Sequence, residues 1–417
     1  MLPEWNQAAP EVTVGLDIDM LDLRWRADGP PHGLFKRMRT EAPVYWYERP
    51  DGIGYWSVFR HADIHRISHD TETFSSARGG VYLHPDQQVP LELMRSMMLV
   101  MDPPQHTRYR RIVSKVFTPL AVAKMGDDIR ARVNRTIDNF IEKGSCDFVE
   151  DFAVPVPLGV LLEMMGVPQQ DAGVFYDWTE RLEQAQRVPG PLGAVDVFEE
   201  MSGYLAAQIE QQTKAAVEDS LVMRLRNAEV DGEKLNDMEI VAVFGLLAFA
   251  GNDTTRNTIS TGLRALIDHP QAMQELRDNP ALIPTAIEEI LRWTSVVQWF
   301  ARTATRDVEV GGQRIAEGDK LVLWYGSGSR DEAVFENADT FDIHREKPNH
   351  MAFGGGGRHI CLGASLARLE LRIVFEEVLS RMRDIRLAGT PELVPTHWVY
   401  GYSKMPITFT PGSKLGA

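Results

Sequence analysis

Only two cysteines, Cys146 and Cys361, occur in the 417 residues, too few for a disulfide framework or a multi-cysteine zinc site. Long apolar runs are missing as well. The longest, Ile240 to Ala250, is too short to span a bilayer, and the opening residues lack the basic region and apolar core of a secretory signal. Positive charge is scarce: 44 basic against 59 acidic residues give a net −15, which disfavours non-specific binding to nucleic acid or anionic membrane. These deficits predict a cytoplasmic protein in which any cation-rich site is local. No repeat, low-complexity tract or long linker breaks the chain, and 44% apolar with 25% charged residues is ordinary globular usage. Residues 1–417 therefore read as one continuous unit.

What is present predicts a mainly α fold with a smaller β-rich region. The segment from Val44 to Phe59 sets Pro50-Asp51-Gly52 between two runs of aromatic and β-branched residues and predicts a hairpin. From about Pro119 to Arg292 apolar residues recur at helical spacing, broken at Gly144, Pro168, Pro189 and Pro191. Residues 301–325 return to alternation around Gly311-Gly312, predicting strands. A last helix is expected from about Leu362, with Leu362, Leu366, Leu369 and Ile373 on one face.

Four glycines stand between Phe353 and Arg358-His359-Ile360-Cys361, immediately before that helix. Such a loop is entropically costly to order, but it permits tight curvature and close approach of the backbone to a flat ligand. Backbone N–H groups and the helix start would favour a thiolate at Cys361. A plain flexible loop with an inert cysteine fits the same residues. A phosphate loop fits less well, because no Lys-Ser/Thr follows the glycines. Zinc would need a second ligand pair beside His359 and Cys361.

Three further segments carry polar groups in unusual places. Asp253 and Thr254 follow the apolar run Val241 to Ala250, with Gly251 between leaving room for a small ligand; a helix end capped by Asp253 is the structural alternative. Glu289 and Arg292 lie three apart on one helix face, a spacing common in surface ion pairs. His106 and Arg110, after Asp102-Pro103-Pro104, lie four apart and can reach one anion together.

The cysteine loop resembles the haem-binding loop of the cytochromes P-450, Phe-Gly-x-Gly-x-His-x-Cys-x-Gly, with one glycine inserted so that Gly354 takes the usual phenylalanine position. The other segments follow in that family's order across residues 102–363. The resemblance implies the family's fold, haem b as cofactor, and Cys361 as the sulfur ligand to iron. It implies that Asp253 and Thr254 deliver protons to dioxygen, and that His106, Arg110, Arg302 and His359 bind the propionates. Glu289, Arg292 and Arg345 would form the family's structural cluster. The activity implied is insertion of one atom of O2 into a C–H bond, with electrons from a separate ferredoxin and its NAD(P)H-dependent reductase docking near Arg111, Lys115 and Arg358.

Two rival readings stay open at this point: a haem-binding sensor, and a non-haem enzyme using Cys361 as nucleophile. Leu246, Phe249, Ala250, Val296, Val297, Trp299, Phe300 and Tyr400 are the expected substrate contacts, with the 78–100 loop and Val399 to Tyr402 governing specificity. The register of the cysteine loop and the 101–119 segment resemble bacterial sterol and methyl-branched lipid hydroxylases, which implies a sterol, steroid or branched isoprenoid-like lipid. A compact terpenoid or aromatic is the alternative substrate.

Overall fold

The computed structural model describes residues 19–22, 29–49, 52, 54–83, 91–114, 117–185, 192–230, 232–346 and 348–416. Pro50, Asp51, Lys115, Pro189 and Pro191 lie outside them, as does part of the 78–100 loop. The elements that position the site are, in chain order, α1 (His32–Glu41), β1 (Val44–Glu48), β2 (Gly54–Val58), α2 (His61–His69), β3 (Phe74–Ser75), α3 (Gln105–Val113) and α4 (Gly126–Asp138). There follow β4 (Ser145–Asp147), α5 (Pro155–Met165), α6 (Ala172–Ala185), α7 (Leu192–Lys214), α8 (Asp237–Asp268) and α9 (Ile283–Thr294). The carboxyl-terminal part supplies β5 (Trp299–Ala304), β6 (Val308–Val310), β7 (Gln313–Ile315), β8 (Lys320–Trp324), α10 (Ala364–Arg381), β9 (Arg383–Leu387) and β10 (Pro406–Thr410).

The expected hairpin forms, with Val44 opposite Val58 and Glu48 opposite Gly54. It joins a five-stranded sheet ordered β1-β2-β8-β5-β3. β8 runs parallel to β2 and antiparallel to β5, pairing Lys320 with Thr303 and Trp324 with Trp299. Between β5 and β8 the β6–β7 hairpin turns on Gly311 and Gly312, whose φ values of 57° and 80° are both in the left-handed region that a tight two-residue hairpin requires.

The helical body buries one contiguous core. α4 contributes Ile129, Val133 and Ile137 at four-residue spacing, and α10 packs on α4 and α9. α8 is buried along much of its 32 residues and starts with a capping box, in which Asn236 Oδ1 accepts from the Glu239 N–H at 2.9 Å and the Glu239 carboxylate accepts from the Asn236 N–H at 2.8 Å. Because α8 continues to Asp268, Asp253 lies inside the helix and is no cap. α10 begins at Ala364, two residues after the expected start.

Glu289 and Arg292 are not the surface pair that their spacing alone suggests. Both are fully buried, joined by two bonds of 2.7 Å. Arg345 Nε reaches the same carboxylate at 3.2 Å, and Arg292 also donates to the carbonyls of Ser329, Ala338 and Thr340. One cluster thus ties α9 to the irregular chain of 329–345, which leads into the cysteine loop.

Candidate active site

The four-glycine segment lies against α2, and steric room explains its composition. A Cβ on Gly355 would strike Ser68 Oγ and Ile64, one on Gly356 the His69 ring, and one on Gly357 the Ser68 carbonyl. Gly354, Gly356 and Gly357 also have φ of 92°, 87° and 67°, where a side chain is strained. The Gly357 N–H donates to His69 Nε2 at 3.0 Å, pinning the loop to the helix. Glycine is therefore demanded by packing on a protein helix as well as by the loop's border on the cavity.

Cys361 emerges at the end of this loop with its N–H bonded to the Phe353 carbonyl at 3.0 Å. Its side chain lies deep in the molecule yet has free surface, because it faces an internal cavity. Burial pushes the thiol up, while the N–H groups of Gly363 and Ala364 and the charges of Arg110 and Arg368 pull it down. Those two N–H groups open α10, so the start of that helix is turned toward the sulfur.

The same cavity is bordered by His106, Arg110, Arg302 and His359. The two imidazole rings are 4.2 Å apart between centroids. His106 is pushed down to about 4, by burial first and then by Arg110 and Arg358. His359 is held well below the usual range by burial, Arg302 and His106. The nearby carboxylate, Asp102, is engaged by Ser75 and by the N–H of Ser76 at 2.8 Å. His106 Nδ1 is buried without a hydrogen bond among the described residues. Four cationic or protonatable groups thus converge where an anion would relieve their mutual repulsion.

α8 forms another wall. Leu246, Phe249, Ala250 and Thr254 line the cavity from one helix face, with Gly251 beside them. Thr254 Oγ1 donates to the Ala250 carbonyl at 2.7 Å, the back-bond a helical threonine makes. Asp253 does not line the cavity. It is fully buried behind Thr254, 2.7 Å from the Arg256 guanidinium and 3.1 Å from Asn257 Nδ2, and Arg256 in turn reaches Glu180 of α6 at 3.2 Å.

Of the residues expected to meet substrate, Leu246, Phe249, Ala250, Val296, Val297 and Phe300 line the cavity, whereas Trp299 and Tyr400 do not. Strand alternation accounts for the tryptophan: Phe300 and Arg302 point to the cavity, so Trp299 and Ala301 point to the opposite face. There Trp299 packs on Trp324 and donates to the His397 carbonyl at 3.1 Å. Tyr400 faces Tyr402, with 3.3 Å between hydroxyls, and its ring covers Gly29. Sequence reading missed Trp398, which lines the cavity and stacks on Phe249 at 5.7 Å, and Glu370, whereas Tyr82, Met94, Met97 and Met98, which also line it, belong to the 78–100 loop expected to govern specificity. The run Trp398-Val-Tyr-Gly-Tyr402 is aromatic enough to signal a contact, but nothing in it says which ring turns inward.

The Cytochrome P-450 family profile matches residues 194–283 and 279–384. The steroid C26-monooxygenase of Mycolicibacterium smegmatis is 34% identical over 97% of this chain and 96% of its own. The methyl-branched lipid omega-hydroxylase of Mycobacterium tuberculosis is 36% identical over 96% of both. The chain belongs to the cytochrome P-450 family. Among solved structures, Mycobacterium marinum cytochrome P-450 CYP268A2 in complex with pseudoionone superposes with a TM-score of 0.87 at 36% identity, covering 97% of this chain and 100% of that one. This P-450 is accordingly a haem-dependent monooxygenase, an oxidoreductase with the family's mainly helical fold. Among the described residues no helix is long and apolar enough to cross a membrane.

The residues present fit a haem. The cavity combines a sulfur on one wall, extensive apolar surface, and a cation cluster holding an unpaired buried imidazole nitrogen, matching the iron, the flat macrocycle and the two propionates.

Proposed function

We propose that this P-450 hydroxylates a sterol, steroid or methyl-branched lipid, with residues 1–417 acting as one catalytic unit. The observation that carries the reading is a single cavity that brings Cys361, Thr254 and the His106/Arg110/Arg302/His359 cluster together beneath an almost wholly apolar lining. Bound there, haem supplies O2 activation and the insertion of one oxygen atom into a C–H bond.

The chain's own residues do the rest. Cys361 presents its sulfur to the iron, with Gly363 and Ala364 N–H groups and the Arg110 and Arg368 charges tempering the thiolate. His106, Arg110, Arg302 and His359 hold the propionates. Leu246, Phe249, Val296, Val297 and Phe300 exclude water and hold the apolar substrate. Thr254 Oγ1 orders a proton at the cavity wall, and Asp253, linked through Arg256 to Glu180, supplies protons from behind it. Exposed Arg111 and Arg358 attract a ferredoxin, recharged by a reductase, as the electron source. The named activities of the steroid and lipid hydroxylating relatives support the substrate class, as does the lining.

Two experiments test this. Cys361→Ser should abolish the thiolate-type spectrum of the reduced carbon monoxide complex while Cys146→Ser leaves it unchanged; a normal spectrum in Cys361→Ser refutes the ligand. Titrating the oxidised holoenzyme with a sterol, a branched fatty acid, a monoterpene and a polycyclic aromatic should shift the iron spin state with the first or second. A response to the monoterpene or aromatic alone overturns the lipid reading.

A further inference from the structure

The segment Gly79–Tyr82 is clamped to the sheet carbonyl by carbonyl. The buried Lys320 ammonium, on β8, donates to the carbonyls of Gly79, Gly80 and Tyr82, at 3.2 Å for Gly80 and 2.5 Å for Tyr82. The fourth, of Val81, accepts from the Ala301 N–H of β5 at 2.7 Å. A side chain on Gly79 would collide with Thr303 and Lys320, the facing pair on the two strands. A lysine in a protein interior is costly to bury, and here the cation is used to hold one short stretch of backbone.

That stretch delivers Tyr82 to the cavity. Its ring is wedged edge-on between Trp398 at 5.7 Å, Phe300 at 6.0 Å and Trp299 at 6.5 Å. The position of the ring is thereby set from three sides. The hydroxyl makes no hydrogen bond among the described residues, yet it is not sealed into the packing: Tyr82 is deeply enclosed but keeps free surface, as expected of a group that opens onto the cavity it lines. Burial, and then the charge of Asp253, push the phenol up, so it stays neutral and can donate. The wall around it is otherwise apolar: Met94, Met98, Phe249, Val296, Phe300 and Trp398. A buried donor without an acceptor is unfavourable until something fills that role.

We infer that Tyr82 is a specificity-determining residue whose hydroxyl donates a hydrogen bond to a single carbonyl or hydroxyl oxygen on an otherwise hydrocarbon substrate. This rests on the lipid-hydroxylase reading and sharpens it: the substrate carries one acceptor oxygen at a fixed distance from the carbon that is oxidised. The clamp matters because a donor held rigidly discriminates between positions on a ligand, whereas one on a loose loop would follow the ligand.

The test compares native holoenzyme with Tyr82→Phe, using hexahydropseudoionone, a saturated branched ketone, and the alkane with the same carbon skeleton. Dissociation constants come from the spin-state shift of the oxidised haem. Tyr82→Phe should weaken ketone binding about fivefold, the size of one net hydrogen bond, and leave the alkane within about twofold. Tyr82→Leu, which also removes the ring, should weaken both and so separates packing from hydrogen bonding. Equal effects of Tyr82→Phe on ketone and alkane, or none on either, would overturn the role of the hydroxyl while leaving the lipid reading intact. Silence of the native enzyme toward both probes would overturn this inference, while the lipid reading falls only if the sterol and the branched fatty acid are silent as well.

Discussion

At the scale of single residues, Thr254 and Glu370 make the sharpest demands. Thr254 borders the cavity together with Thr255 and Thr258 of α8, and Asp253 next to it has Oδ1 held by Arg256 and Asn257 while its Oδ2 is buried without a hydrogen bond among the described residues. Thr254→Ala should leave haem binding intact but divert reductant and oxygen to peroxide. Product formed per NAD(P)H consumed should fall severalfold, and unchanged coupling would refute the role. Glu370 is a buried carboxyl of α10 bordering the cavity, with Oε2 lacking a hydrogen bond among the described residues. Burial pushes it up from 4.5 to about 8. The native state therefore keeps a proton that the unfolded chain releases. Stability from this group is full below about pH 4.5 and is lost as pH rises through about 8. Glu370→Gln, which resembles the protonated form, should match the native protein near pH 5 and exceed it near pH 9. Melting temperatures across that range would show the two curves diverging upward; parallel curves would mean that Glu370 is ionised in the fold.

At the scale of elements, the Glu289–Arg292–Arg345 cluster decides how α9 meets the 329–345 segment. Its core pair has no exposed surface, so removing one partner strands a buried charge. Glu289→Ala should cost about 3–5 kcal/mol, the range for breaking a buried pair, read from urea denaturation of the holoenzyme with haem retention measured in parallel. A loss below about 1 kcal/mol is what an exposed pair would give. The strands show a second element-scale rule. β5 sends Phe300 and Arg302 to the cavity and Trp299 to the sheet core, because successive side chains leave a strand on opposite faces. One strand thereby serves both the apolar site and the cation cluster.

For the molecule as a whole, the cavity is where the separate layers meet. α8 supplies one wall, the cysteine loop another, β5 and the Gly79–Tyr82 segment a third, and α3 brings His106 and Arg110. An anion would compensate the Arg110 and Arg302 guanidiniums and accept from the two imidazoles that burial holds down, and a flat apolar ligand would fill the space between the facing walls. Haem binding should therefore stabilise the entire fold by mass action. Extracting it should lower the melting temperature and re-adding it should restore the original value. His106→Ala with Arg110→Ala should weaken that restoration; equal melting of the apo and holo forms would refute the coupling.

The local placement of residues close together in the chain was readable from sequence. The glycine-rich approach to Cys361, the alcohol after an apolar helical run, the four-residue step from His106 to Arg110 and the turn at Gly311-Gly312 each follow from local composition and spacing. What the chain could not display by itself was direction. Whether Trp299 or Phe300 faces substrate depends on β5 pairing with β8, more than 20 residues away along the chain. That Glu289 and Arg292 are interior depends on carbonyls of Ser329, Ala338 and Thr340 arriving from outside the helix. Tyr82 reaches the cavity because Lys320, 238 residues distant in sequence, takes hold of its carbonyl. Spacing along a chain records which residues share a face of one element; only packing between elements selects what that face meets.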